Sequence, residues 1–384
     1  DYDLRDPLLD FTAPEEADYT LGVYDYIYEG GDGYHYRLTV HNGPHVDFVY
    51  PPVGLPGETV KAKVYGRNLP GGKPCEYTLD GAQLQVMETN ISLPGDPQAA
   101  QALPVERFVP LARASCSGFP WQLAGTQRPY LIGFGSASVV LEQDQNNEPA
   151  QAQSVAVPCE VVGQFYPDRD QDWYTFEAKA GEVYWIDVVA HRRGLNADPY
   201  LLVQRVTKNE AGEENVQMVS EQDDPSDRQN NIGNAFNVTT DDPSFRLAVK
   251  EDAPYRVLIR DQYNSSRNDP RYVYRMAIRR ETPDFRLLAL PALVVTNNNQ
   301  NQPSPGTLVI RRGGAVVVDV RLLAQDGFNE EVTLSVEGLP GGLSCRGAVV
   351  SGSASTCSLV IESAPNAGAW SGPICIVGRA KVGN

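Results

Sequence analysis

The chain has 384 residues, room for two or three domains at about 150 residues each, and 49 acidic against 32 basic side chains leave a net charge of −17. A balance this acidic argues against nucleic-acid binding and against docking on anionic lipid, both of which draw on basic patches. Hydrophobic residues at 41% suffice for packed cores, while 19 Tyr, 34 Gly and 29 Pro favour strands separated by turns over helices.

Alternation of apolar and polar residues sets the element reading. Tyr19-Thr20-Leu21-Gly22-Val23 reads as a strand with Tyr19, Leu21 and Val23 on one face, and Tyr24, Tyr26 and Tyr28 follow on the opposite face. That tyrosine row reads either as cross-strand packing or as a surface for a sugar or a fibrous partner. A strand over Thr59–Tyr65 turns Val60, Ala62 and Val64 one way and Lys61 and Lys63 the other. Strands are expected again at 182–188 and 255–259, and β-branched strands at 315–321 and 331–336. Turns are marked by Gly54-Leu55-Pro56-Gly57, Asn68-Leu69-Pro70-Gly71-Gly72 and Gly338-Leu339-Pro340-Gly341-Gly342. Trp173 and Trp185 read as core residues. No long amphipathic helix is found. The most apolar run, Leu287 to Val295, is broken by Pro291 and falls far short of the roughly 20 apolar residues of a membrane span. The chain divides into 1–42, 43–140, which begins with Gly43-Pro44, 141–283, which begins at the polar stretch 142–148, and 284–384, which contains a further polar loop at 297–305.

The chain also repeats itself. Asp6-Pro7, Ala17-Asp18-Tyr19, Asp25 and Tyr34-x-Tyr36-Arg37 recur as Asp242-Pro243, Ala253-Pro254-Tyr255, Asp261 and Tyr272-x-Tyr274-Arg275. Leu9 matches Phe245 and Val23 matches Ile259; the register holds without a gap as far as Asp25, and a two-residue insertion follows before Tyr272. Asp47-Phe48 then corresponds to Asp284-Phe285. Residues 1–42 therefore read as the closing part of a domain whose opening strands are missing from this sequence.

Residues 141–283 carry a string of motifs. It runs Glu142-x-Asp144-x-Asn146-Asn147, Gly163-Gln164-Phe165, then Asp170-x-Asp172-Trp173-Tyr174-x-Phe176-x-Ala178-x-Ala180-Gly181-Glu182. It continues with Asp198-Pro199-Tyr200-Leu201 and Asp223-Asp224 and closes on Tyr272-x-Tyr274-Arg275. This segment resembles the bacterial pre-peptidase C-terminal (PPC) domain, a jelly-roll-like β-sandwich of secreted proteins, and residues 1–42 resemble its closing half. Pro51-Pro52-x-Gly54-x-Pro56-Gly57 and Val64-Tyr65-Gly66-Arg67-Asn68-Leu69 make residues 43–140 similar to an IPT/TIG-type immunoglobulin-like domain, a likeness that fades beyond residue 75. Residues 284–384 resemble a generic immunoglobulin-like sandwich. The expected fold is thus all-β, a tandem of β-sandwiches with the jelly-roll-like PPC domain flanked by immunoglobulin-like ones.

Two acidic stretches supply hard oxygen ligands. Alternate residues of an extended chain share a face, so Glu142, Asp144 and Asn146 can converge. Asp168-Arg169-Asp170-Gln171-Asp172 resembles the start of an EF-hand loop but has Trp173 at its sixth position and Lys179 at its twelfth, where Gly and Glu are required. By themselves these residues read equally as a solvated acidic linker and loop. The PPC resemblance adds more. In the related collagen-binding domains of clostridial collagenases, an acidic segment entering the sandwich binds calcium together with aspartates of a following loop. Carried over, this implicates Glu142, Asp144, Asn146, Asn147, Asp168 and Asp172 as calcium ligands. Which of Asp168, Asp170 and Asp172 point inward stays open.

No catalytic pattern is found. The four histidines, His35, His41, His45 and His191, form no His-Glu-x-x-His, and neither a Gly-x-Ser-x-Gly elbow nor a phosphate-binding loop occurs. His41 and His45 read as exposed linker residues, and His191-Arg192-Arg193 as a surface loop. Six cysteines leave Cys75–Cys116 and Cys345–Cys357 as conceivable disulfides, with Cys159 and Cys375 as free thiols. The functional reading is a non-catalytic secreted or cell-surface structural or adhesion module, with calcium stiffening the PPC-like part. Its partners would be other domains of a larger chain and an extracellular polymer or neighbouring surface protein, with no nucleic acid and no membrane insertion. The alternatives are a module binding polysaccharide or a collagen-like polymer, and the accessory region of a secreted hydrolase whose catalytic domain lies elsewhere.

Overall fold

A computed structural model describes residues 7–32, 34–97, 116–224, 240–291, 308–351 and 356–381. Among these, strands form six sheets that face one another in pairs, giving three β-sandwiches in succession. The helical elements that lie wholly among the described residues are short 3-10 turns such as 149–151 and 191–193. No helix among the described residues is long and apolar enough to cross a membrane.

The first sandwich contains β1 (His45–Tyr50), β2 (Val53–Gly54), β3 (Thr59–Arg67), β4 (Lys73–Leu79), β5 (Ala82–Ser92), β6 (Gly118–Trp121) and β7 (Tyr130–Phe134). Their order is β1-β3-β5-β4 in one sheet and β2-β7-β6 in the other. In β3 the lysines face water while Ala62 and Val64 are buried against Ile91 and Ile132, as the alternation requires. The turn after β3 places Asn68 at φ 50° and Gly71 at φ 70°, left-handed conformations that Asn and Gly adopt most readily.

The second sandwich contains β8 (Val139–Leu141), β9 (Gln153–Ser154), β10 (Cys159–Gln164), β11 (Asp172–Ala178), β12 (Val183–Val189), β13 (Pro199–Lys208), β14 (Glu214–Gln222), β15 (Ser244–Ala248), β16 (Ala253–Asp261) and β17 (Val273–Arg280). The sheets run β15-β12-β17-β10-β8 and β14-β13-β16-β11-β9. Pairing is antiparallel except at the entrance, where β8 runs parallel to β10 and β9 parallel to β11. The core is aromatic: Tyr174, Phe176, Tyr184 and Tyr255 from both sheets surround Ile186, Val257 and Ile259. The division drawn between residues 140 and 141 thus falls inside β8.

The third sandwich has β18 (Asp284–Pro291), β19 (Ala315–Gln325), β20 (Val332–Glu337), β21 (Leu343–Cys345), β22 (Ala348–Val350), β23 (Thr356–Ser363) and β24 (Cys375–Ala380), ordered β18-β19-β23-β21 and β22-β20-β24.

The sandwiches touch. Phe48, Tyr65 and Leu84 of the first share an apolar cluster with Val162 and Val273 of the second. Tyr50 donates its hydroxyl proton to the Val162 carbonyl at 3.0 Å, and Tyr77 donates to Gln164 Oε1 at 3.1 Å. Glu160, 0% exposed, takes two hydrogen bonds from Arg275, at 2.7 and 2.9 Å, and two more from Ser136, at 2.9 and 3.0 Å. Arg279 grips Asp326 across to the third sandwich, and Arg286 of that sandwich donates to Ser117 of the first.

Four expectations change. The strand at Tyr19–Val23 is not formed: residues 7–42 show no strand among those described, and every described residue there except the half-buried Leu8 is exposed. A β-strand satisfies its amides only through a neighbour, and none lies beside it. The cysteines are all free. Register is the reason at one pair, since β21 sets Cys345 opposite Ile361 and β19 sets Val320 opposite Cys357. At the other, the Cys75 thiol is buried and donates to the Leu84 carbonyl at 3.3 Å. His45 begins β1, half-buried beside Asp47, and burial pushes its pKa down. Arg192 is no loose loop residue, since it is bonded to both Asp187 and Asp242 at 2.9 Å.

Candidate metal centre

Strand β11 turns Asp172, Tyr174, Phe176 and Ala178 toward the core. A carboxylate at the first of these places stands at the end of the apolar interior, and Asp172 is 0% exposed. Its Oδ2 accepts the Tyr274 hydroxyl at 2.8 Å, and that hydroxyl lies 2.6 Å from the Tyr174 hydroxyl. The chain leaves β8 into Glu142, whose N–H donates to the Val162 carbonyl at 2.9 Å. The Glu142 carboxylate turns back onto β10, where Oε2 accepts the Gln164 N–H at 2.8 Å. Gly163 makes the room: a Cβ there would stand 2.3 Å from Tyr274 Oη and 2.6 Å from Glu142 Oε2.

One carboxylate oxygen from each of Glu142, Asp170 and Asp172 lies within 4.8 Å of the others. Asn146 joins from the entering segment. Its backbone carbonyl accepts the Trp173 N–H at 2.8 Å, which seats it beside Asp172, and its side chain is 1% exposed. Neither the oxygen nor the nitrogen of that side chain has a hydrogen-bond partner, and the same holds for Asp170 Oδ2 and Asp172 Oδ1. Buried polar atoms without partners are rare and expensive.

Burial disfavours the ionised forms. It pushes Glu142 up to about 7 and Asp170 up to about 7, with the Glu142 charge adding to the effect on Asp170. Asp172 is raised well above the ordinary carboxylate range by burial, then by Glu142 and Asp170. The effect reaches the junction: burial, then Glu142 and Asp172, raise Tyr50, and Tyr77 rises to about 12 mainly through burial. Two things can neutralise such a cluster, protons or a hard cation. Calcium takes six to eight oxygens of carboxylates, amides and water, and three carboxylates with an unpartnered amide oxygen suit that demand.

Of the six residues expected as ligands, Glu142 and Asp172 each put a carboxylate oxygen in the cluster, and Asn146 is held nearby through its backbone bond to Trp173. Asn147, itself exposed, has its side-chain amide 3.2 Å from Asp170 Oδ1 and from the Gln171 carbonyl, two acceptors that its nitrogen meets once the amide is turned over. Asp144 is exposed at a turn over 144–145, which breaks the extended alternation that would have aligned it with Glu142. Asp168 is exposed as well: β11 begins only at Asp172, and Arg169 at φ 66° reverses the backbone before it. Asp170, left open by the sequence, is 7% exposed and belongs to the cluster. A second trio of acids, Asp198, Asp223 and Asp224, lies elsewhere on the same sandwich and is more exposed.

No protein-family profile and no curated protein matches the chain. Among solved structures it is similar to the pre-peptidase C-terminal domain of a collagenase from Bacillus anthracis, at 13% identity and a TM-score of 0.22, over 35% of this chain and 100% of that one. It is also similar to a "putative secreted protein" from Eubacterium rectale, at 8% identity and a TM-score of 0.20, over 57% of this chain and 71% of that one.

Proposed function

We propose that this chain is a non-catalytic, secreted or cell-surface structural or adhesion module, and that calcium held by Glu142, Asp170, Asp172 and Asn146 stiffens it. The observation that carries the reading is the trio of carboxylates, two of them buried and the half-buried one, Glu142, on the segment that also carries the buried, unpartnered Asn146 amide. A divalent cation there would tie the entering segment 142–147 to the start of β11. The same end of β10 holds both the site and the junction: the Gln164 N–H bonds Glu142, while the Gln164 side chain and the Val162 carbonyl accept from Tyr77 and Tyr50 of the first sandwich. Fixing Glu142 therefore fixes the surface on which the first sandwich rests. The PPC and immunoglobulin-like resemblances fit a multi-domain extracellular chain in which such sandwiches act as stiff spacers.

The test is thermal unfolding and titration calorimetry in EDTA, then with millimolar calcium, with magnesium as control. A calcium-specific rise in melting temperature, abolished by Asp170→Ala with Asp172→Ala, is expected. Identical melts in EDTA and calcium would overturn the reading.

A further inference from the structure

Residues 7–32 and 34–40 form no strand, yet they copy the part of the second sandwich that does. The match extends beyond the motifs to the buried face. Phe11, Tyr19, Leu21 and Val23 stand where the second copy has Leu247, Tyr255, Val257 and Ile259, and Leu38 and Val40 stand where it has Met276 and Ile278. In the second copy these six are at most 3% exposed; in the first they are all at least 48% exposed. So every one of these core positions is kept apolar in a segment that buries none of them. Two positions facing away from the core are not kept, since Tyr24 and Tyr26 replace Arg260 and Gln262.

The local turns are already formed in both copies. Asp25 Oδ1 accepts the Ile27 N–H at 3.0 Å and its carbonyl accepts the Tyr28 N–H at 3.0 Å. Asp261 does the same with the Tyr263 N–H at 2.8 Å and the Asn264 N–H at 3.2 Å. The Tyr34 N–H meets the Gly31 carbonyl at 3.0 Å, as the Tyr272 N–H meets the Asp269 carbonyl at 3.1 Å. Turns need only their own residues, whereas strands need neighbours. In the second copy the neighbours of β16 are β11 and β13, and those of β17 are β10 and β12. Those strands precede β15 in the chain, and within this sequence they are already occupied by β15–β17.

We infer that residues 7–32 and 34–40 are the closing strands of a further sandwich of the second one's kind. Their partner is a run of strands equivalent to β8–β14, lying ahead of them on the same polypeptide. Tyr19, Leu21, Val23, Leu38 and Val40 are the face that docks into it. Large apolar side chains left in water at this density mark a surface meant to be covered.

Hydrogen–deuterium exchange tests this, comparing residues 1–384 with the natural polypeptide that includes the sequence ahead of Asp1. Amides of 19–23 and 36–40 are expected to exchange freely in the shorter chain and at least about 100-fold more slowly in the longer one, as core strands do. In the longer chain Leu21→Asp should abolish that protection, while Tyr26→Ser, on the outer face, should leave it intact. Free exchange in the longer chain would overturn the inference, and so would protection that survives Leu21→Asp. Protection of 19–23 in residues 1–384 alone, rising with protein concentration alongside a doubled mass in solution, would instead assign the face to a second copy and refute the partner named here.

Discussion

Replacing Asp172 with Asn should change the sign of its effect with calcium. Without a cation the folded protein must hold Glu142, Asp170 and Asp172 together away from water. Glu142 shows the scale: its pKa rises from 4.5 to about 7 on folding, and at about 1.4 kcal/mol per unit keeping it ionised costs about 3 kcal/mol. Because the folded value is the higher one, the proton-linked stability is complete below the unfolded value of 4.5 and is lost as pH rises through about 7. At pH 8 it is gone. Asp172→Asn removes one of the three carboxylates of the cluster, the one whose ionised form is disfavoured by burial, then by Glu142 and Asp170, and keeps an oxygen to accept the Tyr274 hydroxyl. In EDTA at pH 8 the variant should therefore be more stable than the wild type by about 1–3 kcal/mol, several degrees of melting temperature for one sandwich. With calcium at 100 times its dissociation constant the wild type gains about 2.7 kcal/mol, and the variant, short of one anionic ligand, gains much less. Scanning calorimetry in the two buffers reads both effects. A variant that is less stable than the wild type by the same margin in EDTA and in calcium would refute the reasoning and leave Asp172 as a hydrogen-bond acceptor for Tyr274.

Gly163→Ala places a methyl group 2.3 Å from Tyr274 Oη and 2.6 Å from Glu142 Oε2. It should lower stability by about 1–3 kcal/mol and remove the calcium response, both read from melts with and without calcium. Calcium competes with protons on groups raised to about 7, so its affinity by titration calorimetry should fall steeply between pH 8 and pH 6; a flat profile would contradict a site built on these carboxylates. Arg275→Met strands the fully buried Glu160 and should cost about 3–5 kcal/mol in urea unfolding, whereas Glu160→Gln with Arg275→Met should recover much of that loss. If the double variant is as unstable as the single, the arginine acts through packing and not through charge.

Strand parity carried the local fold. The alternations at 59–65, 182–188, 255–259, 315–321 and 331–336 all lie in strands or open them, and at 59–65 the lysines face water as expected, because a half-buried strand in water has only one way to turn its apolar side chains. The same alternation at 19–23 does not, although its pattern is as regular. Parity states which side would be buried and says nothing of whether a neighbour is present to bury it, and only long-range pairing supplies the neighbour.

The acidic centre divides along the same line. Residue type and spacing pointed only to two acidic stretches that could equally be a solvated linker and loop; it was the PPC resemblance that singled out Glu142, Asn146 and Asp172 within them. Asp144, Asp168 and Asp170 were settled by backbone turns: one at 144–145 swings Asp144 out, and the left-handed Arg169 lets Asp170 face in while Asp168 faces water. Nor could the linear chain reveal that the site abuts the first sandwich, because Tyr50 and Tyr77 meet β10 from far away in sequence. Periodicity is local and survives in the amino-acid order. Convergence of charges from separate segments, and the desolvation that makes them demand a counter-charge, exist only once the sheets have packed.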